Sequence, residues 1–178
     1  MTTAESATHG SPFWRFSLGF YRRPGVADAC IALQEEAGVD VNLLLFLLWH
    51  ATLRRQLSPE ELKGLEHRVA PWRNATVIPL RGVRRALKSP PALVPPATAE
   101  AFRTRIKAVE LEAERLQQEA MHALALTAAL GQEVDSTQQA ARANVEAYAA
   151  MLSVPLPRRA VETLLTALLD ASARKPED

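Results

Sequence analysis

A chain of 178 residues, 48% hydrophobic and 23% charged, has the size and balance of one globular domain, or of one domain with an appendage. Its formal net charge of +1 points to no partner by overall sign, neither nucleic acid nor an acidic surface. The single cysteine, Cys30, excludes an internal disulfide framework and any multi-cysteine metal site.

The start, Met1-Thr2-Thr3-Ala4-Glu5-Ser6, has no basic run and no apolar signal core, and residues 1 to 10 read as a loose, disordered tail. Ser11-Pro12 is a capping residue followed by a first-turn proline, so a short aromatic helix is expected there, with Phe13, Phe16 and Phe20 at helical spacing. Arg22-Arg23-Pro24-Gly25 ends it. A second helix from about Gly25 to Ala37 places Val26, Cys30, Leu33 and Ala37 on one face, where Cys30 reads as a buried, inert thiol. Gly38 is its expected stop. Asp40 then caps a helix through Val41-Asn42-Leu43-Leu44-Leu45-Phe46-Leu47-Leu48-Trp49, expected to continue to Leu57. That run is apolar all round but far short of the roughly 20 residues of a membrane span, which makes it the buried centre of the fold.

Ser58-Pro59-Glu60-Glu61 combines a cap, a first-turn proline and a capping-box glutamate. The helix it starts turns Leu62, Leu65 and Val69 inward and is expected to end or bend at Pro71. A fifth helix, holding Trp72, Val77, Leu80, Val83 and Leu87, is expected to kink at Pro79, whose ring removes a backbone donor. The prolines at 90, 91, 95 and 96 mark an extended linker over residues 90 to 97. The longest helix then runs from Thr98 to about Leu130. Phe102, Ile106, Val109, Ala113, Leu116, Ala120, Ala123, Thr127 and Leu130 recur at alternating four and three, a heptad seam. Helices over Ala141 to Leu152 and Val161 to Leu169 are expected to return as a hairpin and cover that seam, so a monomer is favoured over a dimer that pairs the seam between two chains. Arg174-Lys175-Pro176 reads as a frayed end. No stretch alternates with the period of a strand.

The reading is therefore all-α: a helical bundle around a central apolar helix, with a long helix and a C-terminal helical hairpin. Residues 11 to 89 form a compact N-terminal part. Residues 98 to 174 pack on it as one domain.

Phe13-Trp14-Arg15-Phe16-Ser17-Leu18 with Tyr21, Pro24-Gly25-Val26, Gly38-Val39-Asp40-Val41-Asn42, Pro71-Trp72-Arg73 and Pro79-Leu80-Arg81 with Arg84-Arg85 and Leu87-Lys88 occur together. In these residues the chain resembles an uncharacterised proteobacterial family of small helical cytoplasmic proteins, a domain of unknown function, over about residues 13 to 88. The resemblance implies a small cytoplasmic bacterial protein and carries no activity.

Three features invite a functional reading. From Arg54 to Lys88 there are nine basic residues to three acidic ones, and Arg81, Arg84, Arg85 and Lys88 share one helix face. That face can hold a phosphate, nucleic acid or an acidic partner, or it can pair internally with the acidic stretch Glu110 to Asp135. Trp14, Phe16, Tyr21, Trp49 and Trp72 are candidates to line a pocket between the aromatic first helix and the central one, although aromatic residues at this spacing more often simply pack. Glu119-x-x-His122 has the spacing used by di-iron helical proteins, but occurs once, so no metal and no cofactor are assigned. His50 reads as a core or rim histidine.

With no catalytic constellation, the sequence favours a non-enzymatic cytoplasmic protein that binds another protein. A small-ligand carrier or enzyme with a pocket among the N-terminal aromatic residues is the alternative. Nucleic-acid or phosphate binding through the basic helix is a further one.

Overall fold

A computed structural model describes residues 10–172. The expected tail up to Thr8-His9 and the frayed end at Arg174-Lys175-Pro176 lie outside the described residues.

The fold is all-α. Helix α1 (Pro12–Tyr21) begins as its sequence demands, with the Ser11 hydroxyl accepting from the Trp14 N–H and proline in the first turn. Helix α2 (Val26–Ala37) starts one residue after Gly25 and ends at Gly38, whose φ of 67° is left-handed. There the N–H of Gly38 reaches Gln34 O, and that of Val39 reaches Leu33 O, which closes the orphan carbonyls of the last turn.

Helix α3 (Val41–Thr52) is the centre. Asn42, Leu43, Leu44, Leu45, Phe46, Leu47, Leu48, His50 and Ala51 are all buried, which leaves it no solvent face. It stops five residues before the expected Leu57, because Arg54 turns into a left-handed φ of 54° and Arg55–Gln56 (β1) pairs antiparallel with Gln132–Glu133 (β2). This two-residue ladder is the departure from an all-helical reading. It clamps the end of α3 to the turn after the long helix. The fully buried Asn144 completes the clamp: its amide donates to Leu47 O and Arg55 O, and its carbonyl accepts from Leu57 N–H at 2.9 Å.

Helix α4 (Pro59–Trp72) has the expected capping box between Ser58 and Glu61, and carries Leu62, Leu65 and Val69 inward. Pro71 lies inside α4 and does not end it. Instead the backbone widens into a π-helical turn over Arg73–Val77, where the Ile78 N–H bonds to Arg73 O, and continues as α5 (Ile78–Ala86). The wider turn ends two residues before Pro79, which sits in the first turn of α5, so the irregularity expected at Pro79 takes the form of a π-helical turn.

The long helix α6 (Pro96–Ala128) starts two residues before and ends two before the expected bounds. Its orientation is the larger correction. Ala99, Glu110, Ala113, Gln117, Gln118 and Met121 are its buried residues, whereas Phe102, Val109 and Leu116 are 42%, 51% and 44% exposed. Ala120 and Ala123 are exposed as well. The inward face keeps Ala113 from the seam and otherwise turns polar residues inward, because α3 and α5 offer polar partners for α6, described below. Nor do the last helices cover the seam. α7 (Thr137–Leu152) packs chiefly on α3, α8 (Arg158–Ser172) chiefly on α2, and α6 lies against α5, α1, α3 and α4.

Candidate functional site

The basic face of α5 is turned into the fold. Arg81 donates through Nε to Glu110 Oε1 at 3.1 Å and through Nη2 to Glu114 Oε1 at 2.8 Å. Arg84 holds the same Glu110 carboxylate from its other side, through Nε to Oε2 and through Nη2 to Oε1. One buried glutamate thus receives two guanidinium groups, the arrangement planar bidentate donors favour. Arg85 reaches across to Glu35 of α2 at 2.5 Å, not to the acidic stretch of α6. Lys88 forms no ion pair among the described residues. Internal pairing therefore accounts for Arg81 and Arg84, and leaves Lys88 at the surface.

Beneath this layer lies a second polar cluster. Asp40 caps α3, its Oδ1 accepting from the N–H groups of Asn42 and Leu43. Its Oδ2 accepts from Arg73 Nη1 at 3.0 Å and Gln117 Nε2 at 2.9 Å, and its own N–H donates to the Tyr148 hydroxyl. Arg73 is also held by Glu66 at both nitrogens. Gln118 Nε2 donates to Asn42 Oδ1 at 2.8 Å. The end of the apolar helix is thus tied to α6 by polar side chains, which is why α6 faces inward with glutamate and glutamine. Sequence reasoning had Asp40 as a local cap and missed Glu66, Gln117, Gln118, Asn144 and Tyr148. The signal was present: Glu110, Ala113, Gln117 and Met121 also recur at helical spacing, three, four and four.

Between α1, α2, α5 and α6, over the start of α3, a cavity of about 770 Å³ opens. Trp14, Ser17, Cys30, Asn42, Leu45, Glu110 and Gln118 line it from buried positions. Tyr21, Arg22, Ile31, Lys88, Lys107 and Leu111 line it from exposed ones. Three side chains of the buried set hold a buried polar atom with no hydrogen-bond partner: Trp14 Nε1, Ser17 Oγ and Gln118 Oε1. Burial raises the Glu114 carboxyl above its ordinary range, and Arg81 opposes that shift. Burial likewise pushes the Cys30 thiol up to about 12, which keeps it protonated and unreactive at neutral pH. A second groove of about 700 Å³, between Arg23-Pro24 and α8, is lined by none of the side chains with unpaired polar atoms.

The cavity brings together Arg81, Arg84, Arg85 and Lys88 with Trp14 and Tyr21, two groups that sequence reasoning kept apart. It does not include Phe16, Trp49 or Trp72. Phe16 stacks on Phe20 with ring centres 5.3 Å apart. Trp49 packs among Phe13, Phe46, His50 and His122. Trp72 ends α4 and donates its indole N–H to Ala113 O at 3.0 Å. Glu119 accepts from the Ser11 N–H and His122 lies on Trp49, so the Glu-x-x-His pair is split. Among the described residues no group of three or more His, Cys, Asp or Glu side chains is placed to hold a metal ion. Also among them, no helix is long and apolar enough to cross a membrane.

The sequence profile of a family described as "Protein of unknown function (DUF2390)" matches residues 12–121. The chain belongs to the DUF2390 family. The match spans α1 to most of α6, and so includes every element that walls the cavity. Comparison with curated proteins and with solved structures gives no match.

Proposed function

We propose that this DUF2390 protein is a non-enzymatic binding protein that holds a small molecule in the cavity between α1, α2, α5 and α6. The observation that carries this reading is the cavity of about 770 Å³ itself, lined from buried positions by Trp14, Ser17, Asn42, Glu110 and Gln118 and walled by four helices. The volume is within the usual range for small-molecule sites.

Native mass spectrometry of the freshly purified chain, followed by denaturation, tests it. The expected result is a bound small molecule that is released on unfolding. It is absent from Ala108→Trp, which fills the mouth from an exposed position. A clean apo mass, with a melting temperature unmoved by any small-molecule panel, rejects the reading.

A second reading has its own observation. Phe102, Val109 and Leu116 recur every seven residues on the outer flank of α6 and stay substantially exposed. A heptad strip of this kind suits a helix of a partner protein. Val109→Glu/Leu116→Glu, compared with wild type in a pull-down, should lose a specific partner while keeping its melting temperature. Identical recovery rejects this surface. Charge reversal at Arg81 or Arg84 is not a clean probe, because it breaks internal ion pairs.

A further inference from the structure

Resting on the binding function proposed above, we infer that the cavity selects a small organic anion, with its apolar body against the wall and its carboxylate or phosphate at the mouth. The lining carries six basic side chains and three acidic ones, while the whole chain has a formal net charge of only +1. All three acids are engaged. Glu110 is held by Arg81 and Arg84, Glu114 by Arg81 and Glu35 by Arg85. The surplus is the group of exposed cations, Arg22, Lys88 and Lys107, which form no ion pair among the described residues. Positive charge around the opening of a cavity with low-dielectric walls concentrates anions at its mouth.

The wall has a different chemistry. Exposed Ile31 and Leu111, with half-buried Val41 and buried Leu45, give it an apolar area suited to a hydrocarbon or ring. Trp14, Ser17 and Gln118 line the cavity from buried positions and carry no net charge. Each of the three acids already has an arginine as its counter-charge, so the unpaired charge of the lining is positive. A charged head at the mouth and an uncharged, apolar body against the wall is the polarity that matches this lining. A phosphate and a carboxylate share this chemistry.

Matched pairs of probes separate the charge from the body: octanoate and octanamide, indoleacetate and indoleacetamide, adenylate and adenosine. Titration calorimetry and thermal shift are read on the full chain at low and at high salt. At least one anion should bind, its neutral counterpart at least about tenfold more weakly. Lys88→Glu/Lys107→Glu should weaken the anion by about tenfold and leave the melting temperature of the free protein unchanged, both residues being exposed. Which pair responds distinguishes phosphate from carboxylate. Equal binding of anion and neutral counterpart, insensitive to the double variant, overturns the anion inference and leaves the cavity reading intact. No binding by any member of any pair at millimolar concentration overturns both.

Discussion

Gln117 and Asp40 stand 77 residues apart in the chain, and the Gln117 amide donates to the Asp40 carboxylate across 2.9 Å. This contact couples the long helix to the N-terminus of the central one. The same carboxylate caps α3 and pairs with Arg73, so one side chain serves three elements. Asp40→Ala removes the cap and strands buried donors. We expect a loss of about 3 kcal/mol, at the lower end for a broken buried pair because Arg73 keeps Glu66. Urea unfolding measures it, and a loss under about 1 kcal/mol contradicts the role assigned to Asp40.

The centre of the fold permits a comparison within one helix. Leu47 and Leu45 are 0% and 3% exposed, but only Leu45 lines the cavity. Leu47→Ala should cost about 2–5 kcal/mol, since the hole it leaves is closed on every side. Leu45→Ala should cost less, because part of its surface already faces open space. Equal losses on chemical denaturation would mean that the cavity closes in solution.

Burial along the long helix is tested at two positions of the expected seam, seven residues apart and so on one face. Ala113 is 4% exposed and accepts the Trp72 indole hydrogen bond through its carbonyl, so Ala113→Glu should be severely destabilising. Ala120 is exposed, and Ala120→Glu should move stability by no more than about 0.5 kcal/mol. The apolar seam read from sequence predicts a large effect at Ala120 as well. Melting curves of the two variants distinguish a seam covered along its whole length from one covered at Ala113 and open at Ala120.

His50 makes stability depend on pH. It is 4% exposed, neither ring nitrogen has a hydrogen-bond partner, and its neighbours include Phe46 and Trp49. Burial lowers its pKa from the ordinary 6.5 to about 4, with Glu61 opposing the shift and Arg55 and His122 adding to it. Between these values the unfolded chain takes up a proton that the folded chain refuses. The titration of His50 therefore adds no pH dependence above pH 6.5, and stability falls as the pH drops from 6.5 to about 4, by about 3 kcal/mol in all. Glu61 lies below its ordinary 4.5, so its own loss comes at lower pH and leaves the upper part of the window to His50. Denaturant midpoints between pH 7 and 5 should slope for the wild type and flatten for His50→Leu.

By itself the sequence determined the fold class, the buried central helix and most helix starts. These follow from local chemistry: Ser11-Pro12 and Ser58-Pro59-Glu60-Glu61 bond to their own next turn, Gly38 alone tolerates its left-handed stop, and Val41 to Trp49 has no face that water could solvate. Periodicity on α6 was ambiguous, because an apolar register through Val109 and Leu116 and a polar one through Glu110 and Gln117 both fit a helix. Which register turns inward depends on what waits there. Asp40, Asn42, Arg81 and Arg84 stand there, on segments remote in sequence, and they favour carboxylates and amides over leucine. The cavity is decided in the same way. Trp14, Lys88 and Gln118 meet only because α1, α5 and α6 converge over α3, and a space between helices is a property of their packing, which no single helix encodes.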